Sequence, residues 1–193
     1  MKFIRKNFEP GLILAGRNEL TDYAEAIRIT LGCWSNHNAL SIMDPTLGWC
    51  FGEATPPHSR LTTLEEYEEL MNKEGYKVRL WKVKDVDDDS RAFASEYFRT
   101  HLLGVPYPRR HSMAKLAIFR FVNNLPWKLH MRGRFCTELV QEAWTQASKI
   151  KVNDPYRKPN GKMKKNPTPR TTENRLIAGV LVDVTDRMID PTK

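Results

Sequence analysis

The sequence predicts an α+β fold in which an antiparallel sheet packs against helices. Three observations carry that expectation. Segments with helical and strand-like periodicity follow one another as helix, hairpin, helix, strand, helices, strand. One hairpin is written out in full, with two apolar runs flanking Asp44-Pro45-Thr46-Leu47-Gly48. The composition, 40% hydrophobic with 28% charged residues, is that of a globular chain. A length of 193 residues suits a single domain with a real core.

In chain order, Phe8 to Ala15 reads as a short strand introduced by Pro10-Gly11. Asn18 to Leu31 reads as a helix, since Leu20, Ala24, Ile27 and Leu31 recur at helical spacing and Gly32 ends it. His37 to Met43 and Trp49 to Ala54 are the two arms of the hairpin, with His37 near its open end. Thr62-Thr63-Leu64-Glu65 reads as a capping box that starts a charged helix through Asn72, stopped by Gly75. Tyr76 to Val83 alternates as a strand. Ser90 is placed to cap a helix through Leu103, closed by Gly104. Met113 to Val122 reads as a helix, another begins at Cys136, and residues 176 to 185 read as a closing strand. No internal repeat, heptad run or low-complexity tract interrupts this order.

The helix from Cys136 is amphipathic. Leu139, Val140, Ala143 and Ala147 share one side and Glu138, Gln141, Glu142 and Gln146 the other. A cysteine at the mouth of such a helix is either a small buried hydrophobe or a nucleophile. The second reading has a physical basis, because the positive end of a helix dipole and its unpaired N–H groups favour thiolate over thiol. The same N–H groups can hold an oxyanion during acyl transfer. Such a cysteine needs an imidazole. Of five histidines, His101 and His111 lie in charged surroundings, His130 is near Cys136 in sequence only, and His37 opens an apolar strand. Glu53 on the returning arm is the candidate to orient His37. A three-residue loop puts the two on one face of the hairpin and a two-residue loop separates them. Asp44, Asn38 and His58 are alternatives. Cys33, His37, Cys50 and His58 fall within 26 residues and form a possible zinc set. Their spacing lacks the tight C-x2-C knuckle of strong zinc motifs.

The net charge is +8, and the stretch from Lys149 to Arg175 holds nine Lys/Arg against two acids. Rich in Pro and Lys and poor in apolar residues, it reads as an exposed basic loop suited to contact a polyanion. Three cysteines in a chain of this length argue against a disulfide framework and for a reducing compartment. The one apolar run near the N-terminus, Leu12 to Ala15, is too short for a signal-peptide core or a membrane span. The expected location is the cytoplasm.

Several short motifs, in order, resemble the circularly permuted papain-like branch of the NlpC-type cysteine hydrolases, which includes the lecithin:retinol acyltransferase-like proteins. Glu9-Pro10-Gly11 matches the opening strand, Trp34-Ser35-Asn36-His37 the W-S-x-H approach to the base strand, and Gly52-Glu53-Ala54 the end of the next strand. Leu64-Glu65-Glu66-Tyr67 matches the helix that follows and Gly104-Val105-Pro106-Tyr107 the G-x-P-Y loop. Phe135-Cys136-Thr137-Glu138-Leu139-Val140 matches the nucleophile helix. Thr168-Pro169 and the last strand match the closing segment. Two departures are Leu12, where many relatives carry an acid, and a long stretch from Arg109 to Arg134. The resemblance implies a permuted papain-like domain spanning residues 1–193. It implies Cys136 as nucleophile, His37 as base, Glu53 as orienter, and Tyr107 and Trp34 as residues lining the substrate site. It implies amide, peptide, cell-wall stem-peptide or acyl-lipid substrates and no metal or organic cofactor. From a different class, a non-catalytic polyanion or nucleic-acid binder using residues 149–175 is the alternative.

Overall fold

The computed structural model describes residues 1–18, 28–29, 32–107, 135–148 and 169–192. The expected helices at 18–31 (bar its last turn) and 113–122, His111 and His130, and the basic stretch as far as residue 168 lie outside them. Strand β1 (Lys2–Phe3) and a short 3-10 turn lead to β2 (Ile13–Arg17), β3 (His37–Asp44), β4 (Gly48–Ala54) and β5 (Ser59–Thr63). Then come α1 (Leu64–Lys73), β6 (Lys77–Val83), α2 (Asp88–Tyr97), a π-helical turn at Phe98–Leu102, α3 (Cys136–Ser148) and α4 (Pro169–Ile177). The chain closes with β7 (Leu181–Asp183), α5 (Thr185–Met188) and β8 (Ile189–Asp190).

The fold is α+β. Six strands form one sheet in the order β5-β4-β3-β2-β6-β7, with every neighbouring pair antiparallel, while β1 and β8 pair separately. Its central strands are apolar on both sides because both faces are covered. Ile13, Ala15, Leu40, Ile42, Cys50 and Trp81 face α2 and α3, meeting Ala94, Phe98, Leu139, Val140 and Trp144. Leu14, Ala39, Phe51 and Leu80 face α1, meeting Leu64, Tyr67 and Met71 together with Phe3 and Phe8 of the N-terminal segment. Trp81, Trp144, Phe51 and Phe98 are all less than 2% exposed. Burying each contributes about 1.5–3 kcal/mol or more. Two glycines permit this packing. A Cβ on Gly11, whose φ is +78°, would lie 2.9 Å from Trp144, and one on Gly52 would lie 2.5 Å from both Ile42 and Phe98.

The hairpin forms as expected, with Asp44 opposite Gly48 and three residues in the loop. Three local expectations are corrected. The capping box of α1 is Thr63 with Glu66, one residue later than read, because the Thr62 hydroxyl is taken by Glu53 and Thr63 ends β5, a strand the sequence reading lacked. Helix α2 is capped by Asp87, whose carboxylate accepts from Ser90 N–H at 2.6 Å. The closing strand is reduced to Leu181–Asp183, since α4 runs to Ile177 and Gly179 ends it at φ +71°. No helix among the described residues is long and apolar enough to cross a membrane.

Candidate active site

The hairpin register sets the first half of the site. Ala39 lies directly opposite Glu53, so His37, two residues earlier, shares the face of Glu53 as its diagonal neighbour. His37 Nε2 donates to Glu53 Oε2 at 2.7 Å, with the side chains 16% and 5% exposed. Glu53 is itself held in place. Thr62 Oγ1 on β5 donates to Oε1 at 2.5 Å, Tyr67 OH on α1 donates to Oε2 at 2.6 Å, and Arg60 Nε reaches Oε1 at 3.3 Å. Thr62 shares a face with Arg60, which pairs directly with Glu53. Recognition of β5 in the sequence would have placed it there.

Cys136 supplies the other half. It is the first residue of α3, retains 8% exposure, and lies close enough to His37 for each to favour the charged form of the other. Since Nε2 is engaged by Glu53, Nδ1 is the nitrogen left for the thiol. The first turn of α3 is fixed by Phe135 N–H donating to Glu138 Oε2 at 2.8 Å. The β3–β4 ladder stops at Ala39–Glu53, one pair short of Asn38, and the Asn38 backbone lies beside Cys136, where it favours the thiolate. The cysteine thus sits where two strands part.

The electrostatics form one system. Burial disfavours charge on all three groups, and each offsets that cost for its neighbour. Burial opposes the His37 imidazolium, but Cys136 and then Glu53 raise it to about 10. Burial opposes the Glu53 carboxylate, but His37, Thr62 and Tyr67 lower it to about 2. Burial opposes the Cys136 thiolate, but His37, Asn38 N–H and Thr137 bring it below the ordinary thiol value. The three groups form one coupled row in which each favours the charged form of its neighbour. Cys50 is the contrast: fully buried in the core, its thiol is pushed up to about 12 by burial and by the Asp44 carboxylate.

Asn38 joins the parts. Fully buried, its Oδ1 accepts from Thr137 Oγ1 of α3 at 3.2 Å and Thr172 Oγ1 of α4 at 3.3 Å, while Nδ2 donates to Leu14 O of β2 at 3.3 Å. Glu173, next on α4, accepts from Trp34 N–H at 3.0 Å and from Ser35 N–H and Oγ at 2.7 and 2.8 Å. Helix α4 therefore clamps the segment leading into His37. Neither contact was readable from sequence, since 134 and 138 residues separate the partners of Thr172–Asn38 and Glu173–Ser35.

The other sequence candidates fall as follows. Tyr107 packs edge-on against Phe135 at 5.7 Å, beside the nucleophile position. Trp34 packs on the core face that includes Cys136, with the Arg79 guanidinium 4.4 Å over its ring. Asp44 accepts from Thr46 and Leu47 N–H within its own turn, and the His58 ring meets its neighbour's carbonyl at Ser59 O, so neither orients His37. The four residues of the zinc set are not gathered: Cys33 donates to Ser35 O and Cys50 to Ile42 O. Among the described residues, no group of three or more His, Cys, Asp or Glu is placed to hold a metal.

The chain matches no known protein-family profile, and no curated protein sequence matches it. In structure it is similar to the metalloprotein yiiX from Escherichia coli O157:H7, a DUF1105 protein. The TM-score is 0.64 at 14% identity, covering 91% of this chain and 96% of that one. At that identity the likeness shows a shared fold.

Proposed function

We propose that this protein is a cysteine hydrolase of papain-like type, acting on an amide or ester through an acyl-enzyme. The observation that carries the reading is the position of His37, bonded to Glu53 Oε2 at 2.7 Å and coupled electrostatically to Cys136 at the start of α3. A buried thiolate at a helix start, matched to an imidazolium, is the arrangement of an activated nucleophile.

The steps follow from the geometry. The Cys136 thiolate attacks the carbonyl carbon, and the carbonyl electron pair moves to oxygen. N–H groups at the start of α3 face that oxyanion. The tetrahedral species collapses, the leaving group takes the His37 proton, and a thioester remains on Cys136. His37, now neutral, removes a proton from water as it attacks the thioester, and the acid departs with the thiolate restored. Glu53 keeps the imidazole oriented and stabilises its cation throughout. The substrate is a peptide, a cell-wall stem peptide or an acylated lipid, and the protein acts in the cytoplasm.

Mass spectrometry after exposure to 4-nitrophenyl acetate tests this. Acetylation confined to Cys136 in the wild type, and lost in Cys136→Ser, is the expected result. Acetylation that ignores Cys136 overturns the proposal.

A further inference from the structure

We propose that Tyr76 is a further catalytic residue, its hydroxyl donating a hydrogen bond to the carbonyl oxygen of the bound acyl group as Cys136 attacks. The proposal rests on the hydrolase reading given above. Three observations lead to it.

The first is position. In the β2–β3 ladder Gly16 lies directly opposite His37, so both face the same side of the sheet. A Cβ on Gly16 would lie 2.0 Å from the Tyr76 hydroxyl oxygen and 2.7 Å from Cζ. The hydroxyl thus occupies the space where a Gly16 side chain would stand, and directly opposed side chains in a ladder are about 4.5–5.5 Å apart. Glu53 flanks His37 from β4, and Tyr76 flanks it from the β2 side.

The second is an unspent donor. Tyr76 is 6% exposed and its ring is held edge-on to Tyr67 at 6.0 Å. Its backbone N–H donates to Leu70 O at 3.2 Å. Among the described residues its hydroxyl makes no hydrogen bond. Its oxygen is not sealed off from solvent, so it is available to a ligand atom beside His37. Tyr67 provides the comparison. It is buried as well, at 1% exposure, but its hydroxyl is committed to Glu53 at 2.6 Å.

The third is protonation. Burial, Glu53 and Cys136 all raise the Tyr76 phenol well above its ordinary value. It therefore remains a neutral donor. No proton changes hands in the proposed step: the C–S bond forms, the carbonyl electron pair moves to oxygen, and the Tyr76 O–H stabilises that oxygen until the leaving group departs with the His37 proton.

The test compares two reactions of the same thiol in Tyr76→Phe. Iodoacetamide alkylates Cys136 by displacing iodide from a tetrahedral carbon and builds no oxyanion, whereas 4-nitrophenyl acetate must pass through one. Loss of a single oxyanion donor slows acyl transfer by about 100- to 1000-fold. We expect Tyr76→Phe to leave Cys136 alkylation within about two-fold of wild type and to slow acetylation by at least ten-fold. Gly16→Ala, which displaces the hydroxyl without removing it, should show the same selective loss in the folded variant. Equal rates of acetylation in wild type and Tyr76→Phe overturn the proposal, as does a parallel loss of both reactions, which marks a packing role. A wild-type Cys136 that alkylates but is never acetylated also overturns it. Failure of wild-type Cys136 to alkylate selectively fails the hydrolase reading itself, a distinct result.

Discussion

Replacing Glu53 by Gln keeps the shape of the side chain and removes its charge, and His37 should report the loss directly. His37 titrates at about 10 against an ordinary 6.5. One pH unit corresponds to about 1.4 kcal/mol, so the folded protein favours the imidazolium by about 5 kcal/mol. Two unit charges about 4 Å apart attract by about 4 kcal/mol at an effective dielectric near 20. The amide oxygen of Gln retains a neutral hydrogen bond worth about 1 kcal/mol, leaving a net loss of about 3 kcal/mol. The His37 midpoint in Glu53→Gln should therefore fall by about two pH units, while Cys136, the larger contributor, continues to hold the imidazolium up against burial. Titration of the imidazole nitrogens by NMR from mildly acidic to alkaline pH measures this. A midpoint within about half a unit of wild type would refute the claim that the carboxylate stabilises the cation.

Three further outcomes follow from the same geometry. Asn38→Ala leaves the Thr137 and Thr172 hydroxyls buried without their shared acceptor, which should cost about 2–3 kcal/mol in urea denaturation; a loss under about 0.5 kcal/mol would remove Asn38 from its joining role. Gly52→Ala places a methyl 2.5 Å from Phe98 and Ile42 and should destabilise by about 1–3 kcal/mol through overpacking, so an unchanged melting temperature contradicts the packing described. Stability should also depend on pH in two limbs. Glu53, held at about 2 against an ordinary 4.5, contributes stability that is present above 4.5 and lost as pH falls toward 2. His37, raised to about 10 from 6.5, contributes stability that is present below 6.5 and lost as pH rises through 10. Thermal unfolding across pH should show both limbs, and Glu53→Gln should flatten the acid one; an unaltered acid limb argues against it.

Much of this site was legible in the sequence because its central pair is local. The turn Asp44-Pro45-Thr46-Leu47-Gly48 sets a three-residue loop, and loop parity alone places His37 and Glu53 on one face. Helix α3 was legible from its periodicity, and Cys136 from its place at the start. What was missed is what depends on distant chain segments. Thr62 was assigned to a cap because its hydroxyl suits one, but the buried Glu53 carboxylate claims that hydroxyl, and Thr63 caps α1. Asn38 looks like any strand asparagine until α3 and α4 bring two threonines to its oxygen. Tyr76 was legible only as the first residue of a strand. Its place beside His37 depends on β6 lying next to β2, a pairing between segments some sixty residues apart. The closing strand was over-read because Leu176 to Thr185 is apolar enough for either structure, and Gly179 decides the break.

The most direct test of the account is residue-resolved alkylation of the three cysteines by iodoacetamide, read by mass spectrometry from about pH 5 to 9 in wild type and His37→Ala. Cys136 should react rapidly at pH 6, where Cys33 and Cys50 stay inert, and should lose that advantage in His37→Ala. A Cys136 that reacts no faster than an ordinary thiol, or equally fast without His37, would contradict the proposed nucleophile.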